Sequence, residues 1–435
     1  MLLKEEEKKM SNWKKLAAIM LAAIMILSTS VSALADGAAT ANDEAVETDN
    51  EVVRIVKEIT VYNPDSVSVN EPTASYTYTI TAGSADKTIK DADGIQAATK
   101  AGVTAGIKIS SETTPTAAEE TSVTLTYGPT AGTFSATSGG TANTKWIDID
   151  FSGVNFGQAG VYRYVITESG YTYDSNGVVE GSTGHVRYLD VYVKDAETQS
   201  DLLDQPSDWA VYGYALFTAN EDIDAKTDPK ETKKTTGFVT HTDGEEPVTA
   251  DQYYTFNLEV SKTVLNDAYT KNTHHEFPFT LTLTNGTVTD DVLPIMTLSE
   301  NATQDALSAV AIAGTWEPTI ADGARVSYVG IPAGTTIDIK EKNDVVGVTY
   351  KVTVTGADTN PDVGNVYYNE EFGTAVVSSG ATAGQAATAN RAVNFENDLQ
   401  QISPTGVILR VAPYVLMLAV GVVLLVIARR KRATR

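Results

Sequence analysis

The chain has 435 residues, of which 42% are hydrophobic and 20% are charged, so it can form two or three folded domains and need not be disordered. It contains no cysteine, so its stability must come from something other than disulfide bonds. The formal net charge of −24 argues against nucleic acid as a partner and against docking on anionic lipid.

The N-terminus has the three parts of a secretory signal peptide. Two lysines precede a short apolar run from Leu16 to Leu27, and the small-residue pattern Ala33-Leu34-Ala35 fits a cleavage site. The run is too short to span a bilayer comfortably. The sequence therefore predicts export with removal of residues 1–35, whether translation starts at Met1 or at Met10.

The middle of the chain reads as strands rather than helices. Short alternating runs rich in Thr, Val, Tyr and Ile are separated by Gly, Asn, Asp and Pro, which is typical of antiparallel sandwiches and not of βαβ units. The predicted fold class is all-β, with tandem immunoglobulin-like, Greek-key β-sandwich domains. The clearest runs are 75–81, 122–127, 161–168, 188–193, 253–264, 277–283, 335–341 and 348–354.

Changes in composition suggest where these domains begin and end. The acidic, Ala-rich stretch 36–51 is predicted to be a linker, and a Gly/Ala/Ser/Thr-rich stretch at 372–391 is predicted to be a long loop. A candidate boundary lies at 240–252. We therefore predict a first domain at 52–243 and a second domain at 252–399.

In the second predicted domain, three polar residues each end an inward-facing row of apolar side chains. Side chains alternate across a strand, so Lys262 shares a face with the apolar residues at 254–260. Glu341 and Asn397 likewise continue the apolar rows that precede them. Buried Lys and Glu are costly unless they are paired, and a buried Asn must be hydrogen-bonded. A strand end that is half exposed, or a bulge, is the alternative explanation for any one of them.

Together the three residues permit a specific reaction. A lysine desolvated in an apolar pocket loses its proton and becomes a nucleophile, and a neighbouring carboxyl group can polarise an amide and move protons. The sequence thus favours an isopeptide bond between Lys262 and Asn397, formed with loss of ammonia and promoted by Glu341. Such a bond limits the unfolded chain as a disulfide does. The alternative is a polar cluster without a covalent bond.

The first predicted domain fits the same pattern less well. Lys57 and Glu168 have inward parity, but Thr240 occupies the position where a Phe-x-Asn ending would place its asparagine. Asn220 also has inward parity and is the candidate partner of Lys57. The alternative is that this domain lacks the bond.

The C-terminus combines a short tag, an apolar run and a basic tail. Residues 411–428 carry no charge and would form a helix about 27 Å long, just enough to cross the hydrocarbon core, so we predict a transmembrane helix. The basic residues of 429–435 then stay in the cytoplasm. The order resembles the sorting signal of Gram-positive surface proteins, in which a sortase cuts between Thr and Gly and passes the Thr carbonyl to an amine. A linker with a proline is the alternative. The predicted sorting motif is Ile402, Ser403, Pro404, Thr405 and Gly406.

Several segments together resemble one family, the Gram-positive pilin isopeptide-linker family. They are "LEVSKTV", "FPFTLTL", "IPAGTTIDIKE" and "VNFEN" in the second domain, with "VKEITV", "GQAGVYRYVITE" and "YLDVYV" in the first. The resemblance implies an exported β-sandwich subunit of a covalent pilus, with Lys262 and Asn397 bonded and Glu341 as the catalytic carboxyl. It also implies the partners: a sortase, and other pilin subunits or cell-wall peptide. The implied location is the surface of a Gram-positive bacterium, with a single-pass membrane precursor.

A polymer also needs a lysine that accepts the acyl group of Thr405. The family places it in the first domain, where the candidates are Lys230, Lys233 and Lys234, with Lys233 preferred. A solvated loop is the alternative interpretation of this charged run. A host or neighbouring-cell ligand is not specified by the sequence.

The sequence leaves two other functional classes open. A singly anchored adhesin or spacer that is never polymerised shares every feature except the acceptor lysine. A secreted enzyme is the remote alternative, because the sequence has no nucleophile elbow, no phosphate-binding glycine loop and no metal-ligand spacing. We therefore predict no turnover catalysis, no metal and no cofactor.

Overall fold

The computed structural model describes most of the chain between the predicted signal peptide and the predicted sorting motif. The predicted signal peptide, the motif at 402–406, Lys230 and Lys233 lie outside the described residues, as does most of 411–428. In the described part, no helix is long and apolar enough to cross a membrane. The described residues are 51–90, 96–128, 132–173, 177–195, 209–224, 234–243, 246–284, 295–298, 302–303, 315–379 and 389–400, with Met417, Leu418, Val420 and Val422.

The N-terminal half consists of strands rich in β-branched and aromatic residues, which suit a pleated, half-buried surface. Each of the runs predicted from the sequence in this half lies within a strand. The strands are β1 (Val52–Tyr62), β2 (Val67–Asn70), β3 (Ala74–Ala82), β4 (Thr88–Lys90), β5 (Gln96–Ala101), β6 (Lys108–Ser111), β7 (Thr114–Ala118), β8 (Ser122–Tyr127), β9 (Thr133–Ala136), β10 (Thr141–Asp150), β11 (Gly160–Tyr173), β12 (Val178–Val179), β13 (Val186–Asp195), β14 (Trp209–Phe217), β15 (Ile223–Asp224), β16 (Gly237–Phe238), β17 (His241–Asp243) and β18 (Glu246–Val248).

The C-terminal half is again mostly strands, with one short helix. The carboxylate of Asp267 caps this helix by accepting the backbone N–H groups of Tyr269 and Thr270. The elements are β19 (Asp251–Leu265), α1 (Ala268–Thr273), β20 (Glu276–Thr284), β21 (Ile295–Leu298), β22 (Ala302–Thr303), β23 (Thr315–Trp316), β24 (Thr319–Ala321), β25 (Arg325–Pro332), β26 (Thr336–Lys342), β27 (Tyr350–Thr355), β28 (Gly364–Val366), β29 (Glu371–Ser378) and β30 (Arg391–Leu399). The described part of the chain is thus nearly all β, as predicted.

The strand β19 connects the two halves. One sheet runs in the order β28-β27-β30-β19-β1-β10-β6-β7. Within it, β19 lies parallel to β1 through its first residues and parallel to β30 through its last. The other large sheets contain β11 with β13 and β3 in the N-terminal half, and β20 with β26 and β29 in the C-terminal half.

Successive stretches of this strand contribute to two hydrophobic cores. The first runs from Val53 to Tyr253 and the second from Phe256 to Phe395. We call the parts of the chain around them the first and the second domain. The residues of β19 near this junction are buried on both faces, whereas from Leu258 to Val264 only alternate residues are fully buried. Lys262 lies in this second stretch and points into the core, as the sequence predicted.

The predicted loop at 372–391 is wrong in its first part. The strand β29 occupies Glu371–Ser378, pairs with β26, and buries Phe372, Ala375 and Val377 in the second core. Gly and Ser in this stretch suggested a loop. The apolar residues between them nevertheless supply the inward face that an adjacent strand needs.

Candidate cross-link sites

Strand register places the lysine and the asparagine of the second domain side by side. On the parallel strands β19 and β30, Lys262 lies opposite Phe395, and Val264 lies opposite Asn397. Lys262 and Asn397 therefore lie on the same face of the sheet, on neighbouring strands and two residues apart along the register. Glu341 reaches them from β26, which belongs to the other sheet.

The carboxylate of Glu341 contacts both partners. The Nζ atom of Lys262 lies 3.0 Å from Oε1 and 3.2 Å from Oε2 of Glu341. The Nδ2 atom of Asn397 donates a hydrogen bond of 2.6 Å to the same Oε1 atom. The exposed fraction of each of the three residues is at most 2%. The structure thus brings together the three residues that the sequence selected.

The surroundings of this site are apolar. The ring of Phe277 lies 4.7 Å from Nζ of Lys262, and Phe279 packs edge-to-face on Phe395 beside Glu341. Burial lowers the pKa of Lys262 to about 8, although the nearby charge of Glu341 opposes the shift. A neutral amine is therefore accessible near neutral pH, as nucleophilic attack requires.

The lowered pKa of Lys262 predicts a pH dependence in a variant that cannot react, Asn397→Ala. Between about 8 and the ordinary pKa of 10.5, the folded state binds fewer protons than the unfolded state. Stability should therefore rise with pH in this window, by up to about 1.4 kcal/mol per pH unit. Urea unfolding at a series of pH values measures it. The double variant Lys262→Met/Asn397→Ala, which lacks the amine, should not show the rise, and equal pH profiles would contradict the prediction.

The first domain contains a buried lysine with two carboxylates. The Nζ atom of Lys57, on β1, lies 3.0 Å from Oε2 and 3.1 Å from Oε1 of Glu168, on β11. It also donates a hydrogen bond of 2.9 Å to Oδ2 of Asp251, the first residue of β19. All three residues are almost completely buried. Asp251 was missed by the sequence analysis.

Aromatic and cationic side chains complete this second site. The hydroxyl of Tyr78 donates a hydrogen bond of 2.6 Å to Oε2 of Glu168, and Nδ1 of His185 lies 3.2 Å from Oε1. Nζ of Lys57 lies 4.0 Å from the ring centroid of Tyr76. Burial lowers the pKa of Arg187 to about 10, with the charge of Glu168 opposing the shift. These contacts hold Glu168 in place against Lys57.

The predicted partner Asn220 is not at this site. Its Oδ1 atom accepts a hydrogen bond of 3.0 Å from Nη1 of Arg163. Arg163 in turn makes two hydrogen bonds, of 2.7 and 2.8 Å, to the buried carboxylate of Asp190. Thr240, the other residue considered, donates from its hydroxyl to Glu58 at 2.8 Å. Besides Glu168, the side chain that contacts Nζ of Lys57 is Asp251, and not Asn220 or Thr240.

An insertion explains why the sequence pattern hid Asp251. Lys57 lies opposite Phe238 of β16, as Lys262 lies opposite Phe395. The strand then breaks off into the hairpin of β17 and β18, and Asp251 appears opposite Ile59. Asp251 thus occupies the register position that Asn397 occupies in the second domain. Its inward parity with Tyr253 was the only signal in the sequence.

Of the three candidate acceptor lysines, the structure describes Lys234. It is half-buried and forms an isolated bridge with Phe217, and burial lowers its pKa. Its amine is therefore partly withdrawn from solvent.

Comparison with known families supports the resemblance found in the sequence. Residues 53–208 match the family model described as a Spy0128-like isopeptide containing domain. The match bears out the resemblance to the Gram-positive pilin family that the sequence predicted. The pilin match includes Lys57 and Glu168 and ends before Asp251. Residues 256–390 match a domain of unknown function, DUF7601, which ends before Asn397.

Solved structures of pilins and adhesins are similar at a low level. The major pilin T3.2 from Streptococcus pyogenes is 19% identical over 80% of this chain and 99% of its own, with a TM-score of 0.36. The T-13 major pilin of the same species is 16% identical over 80% and 99%, with a TM-score of 0.32. An adhesin from Mobiluncus mulieris is 13% identical over 81% and 100%, with a TM-score of 0.24. No curated protein sequence matches the chain significantly.

Proposed function

We propose that the protein is a structural subunit of a sortase-assembled pilus, stabilised by an isopeptide bond between Lys262 and Asn397. The observation that carries the proposal is the contact of one buried carboxylate, Glu341, with both Lys262 and Asn397. The pilin-family domain at 53–208 and the tag, apolar run and basic tail of the C-terminus support it. The chain is then exported and held in the membrane as a precursor. A sortase joins it through Thr405 to other subunits or to cell-wall peptide.

The bond forms by attack of a neutral amine on an amide. The Nζ atom of Lys262 adds to Cγ of Asn397, and the Cγ–Nδ2 bond then breaks. Glu341 takes a proton from the attacking nitrogen and delivers one to Nδ2, which lies 2.6 Å from its Oε1 atom. Ammonia leaves, so atoms and charge balance. Burial of the three residues keeps competing water away from Cγ.

Proximity supplies much of the rate. An uncatalysed reaction between an amine and a carboxamide is slow, but well-oriented groups in one molecule can reach effective molarities of about 10⁵–10⁸ M. Two strands of the same sheet hold Lys262 and Asn397, and the opposite sheet holds Glu341. Folding of the second domain alone therefore assembles the reacting groups, and no cofactor is required.

A tryptic map of the full-length chain tests the bond directly. Trypsin cannot cleave after a linked Lys262, so the expected product joins a peptide ending at Lys271 to the peptide 392–410, lighter by one ammonia than the sum of the two. The variant Glu341→Gln keeps the shape of the site but cannot move protons, and it should release both peptides separately. Recovery of the separate peptides from the unaltered protein would reject the proposed bond.

A further inference from the structure

Exposed apolar side chains gather at one end of the second domain. Among the described residues of 51–400, the large hydrophobic side chains that are exposed by 50% or more are Tyr269, Val346, Val363, Tyr367 and Tyr368. Four of them lie on a helix and two turns at the same end of the domain, and Val363 lies just before the edge strand β28. Single exposed apolar residues are common, but several in one place are typical of an interaction site.

One buried asparagine holds the two turns together. Nδ2 of Asn343 donates hydrogen bonds of 3.1 Å to the carbonyl oxygens of Val348 and Val366. These bonds join the turn at 344–349, which carries Val346, to the turn at 366–370, which carries the two tyrosines. The exposed fraction of Asn343 is only 2%. The shape of this surface is therefore fixed before anything binds to it.

The helix α1 is tied to the same end. Nε2 of His275, just after the helix, lies 2.7 Å from Oδ1 of Asp344. Asp267, which caps the helix, accepts a hydrogen bond of 2.5 Å from the hydroxyl of Tyr350. Tyr269, the second residue of α1, is 68% exposed. The helix thus adds a third exposed tyrosine beside the two turns.

The polypeptide leaves the second domain through this surface. The backbone N–H of Gln400 donates a hydrogen bond of 3.0 Å to the carbonyl oxygen of Thr349, and Leu399 pairs with Tyr350. Thr405 follows five residues later, so it lies at most about 18 Å from Gln400 even when the chain is fully extended. We call the surface formed by α1 and the turns 344–349 and 366–370 the exit surface.

We propose that the exit surface docks on the first domain of a second copy of this chain in the assembled fibre. The inference rests on the proposed function, because the second copy is brought there by transfer of Thr405. The candidate acceptors Lys230, Lys233 and Lys234 all belong to the first domain. Whichever of them reacts, the covalent link holds that domain close to Gln400, and hence against the exit surface.

The composition of the exit surface suits such a contact. Tyrosine buries a large area at a small cost in side-chain entropy and is enriched at protein interfaces. The turns that carry Val346, Tyr367 and Tyr368 are already fixed by Asn343, so little further order is lost on docking.

The contact needs the covalent link in order to be occupied. A stable interface buries about 800 Å² on each partner, which is more than four partly exposed side chains can supply. Separate chains should therefore stay monomeric. Once two copies are joined through a short segment, the effective concentration of one surface at the other reaches about the millimolar range, and a weak contact becomes populated. Docking then stiffens the joint between successive subunits.

The first domain of the same copy is too far away to cover the exit surface. The strand β1 lies beside β19 only up to Tyr254, whereas Leu265, at the other end of β19, pairs with Asp398. These two positions on β19 are about 35 Å apart at the rise of an extended strand. A contact between the exit surface and a first domain therefore joins two copies.

Photo-cross-linking on intact cells tests the inference with the full-length chain. The chain has no cysteine, so Tyr368→Cys places a single thiol on the exit surface, to which a short maleimide–benzophenone reagent is attached. After illumination and trypsin digestion, we expect the peptide 352–391 joined to a peptide from 52–243. A link only to 392–405 would show that the chain's own C-terminal segment covers the surface, and a link only to lipid or to no peptide would show no second copy there. Each of these would overturn the inference.

The same cells separate this inference from the proposed function. A ladder of covalent polymers without the link to 52–243 would overturn the inference and leave the proposed function intact. Absence of the ladder would reject the proposed polymer and, with it, the second copy that the inference requires.

A pair of valine variants supplies the matched control. In the Tyr368→Cys chain, Val346→Ser removes an apolar side chain from the exit surface and should lower the yield of the link about tenfold. Val363→Ser makes the same change at an exposed valine outside the three segments and should leave the yield unchanged. Neither side chain is buried, so neither variant should affect folding. Equal yields in the two variants would overturn the assignment of the contact to the exit surface.

Discussion

Replacing Asn397 with alanine is expected to lower the free energy of unfolding of the second domain by about 5 kcal/mol on the entropic model of a cross-link. The proposed bond to Lys262 would close a loop of about 135 residues, and without it the unfolded chain is free of that constraint. It also leaves the pair of Lys262 and Glu341 buried without its third member. Thermal unfolding and limited proteolysis of the purified chain measure the effect, after a peptide map has established that the bond is absent.

The control for this variant is Asn394→Ala, on the same strand. Asn394 lies on the opposite face of β30, where its Oδ1 atom accepts hydrogen bonds of 3.1 Å from the hydroxyls of Ser261 and Thr263. Its loss should cost only about 1 kcal/mol and leave the cross-link formed. If Asn397→Ala were no less stable than Asn394→Ala, the second domain would not owe its stability to a covalent bond.

Strand periodicity predicted which polar side chains of the second domain point into its core. Alternation on β19, β26 and β30 turns Lys262, Glu341 and Asn397 inward, and the structure buries all three. Parity works here because each strand has one face on the core and one face outward. Parity alone did not show that the strands of Lys262 and Asn397 are neighbours. That information came from the resemblance to a family.

The first domain shows where parity stops being informative. The pairing partner of β1 is built from two separate strands, β16 and the start of β19, with a hairpin between them. A local pattern such as Phe-x-Asn cannot be recognised when its last residue follows an insertion, as Asp251 follows Phe238. Just beyond Asp251, the residues of β19 from Tyr253 to Leu258 are buried on both faces, since the two domains meet there. The alternation that would have drawn attention to Asp251 is therefore short, and Asn220 was selected on parity alone.

The position of β30 decides where a pulling force would enter the second domain. The proposed bond of the second domain joins β19 to β30, and β30 ends at Leu399, shortly before the predicted sorting motif. A subunit that is pulled through Thr405 therefore receives the load on the strand that carries Asn397. Placing a covalent bond on the last strand protects the domain from being unfolded from its C-terminus, since peeling β30 away would first require breaking an amide.

Replacing Thr405 with alanine is expected to abolish covalent attachment altogether, because the predicted sorting motif loses the threonine side chain by which a sortase would recognise its cleavage site. In cell extracts, the unaltered protein should give a ladder of bands that survives boiling in detergent, whereas Thr405→Ala should give a single band in the membrane fraction. A control that separates polymer from wall anchor is Lys233→Arg, which keeps the charge but removes the amine that accepts the acyl group. It should remove the ladder and leave single subunits on the wall.

The other two lysines make that control specific. Lys234 is half-buried and its backbone is bridged to Phe217, so its amine is a poorer acceptor. Lys234→Arg should therefore leave the ladder intact, as should Lys230→Arg. A ladder that persists in Lys233→Arg and disappears in one of these would move the acceptor to that residue. A protein that reaches the wall but never forms a ladder would instead be a singly anchored adhesin or spacer. The proposed cross-link in the second domain would then serve to resist tension on one molecule rather than along a fibre.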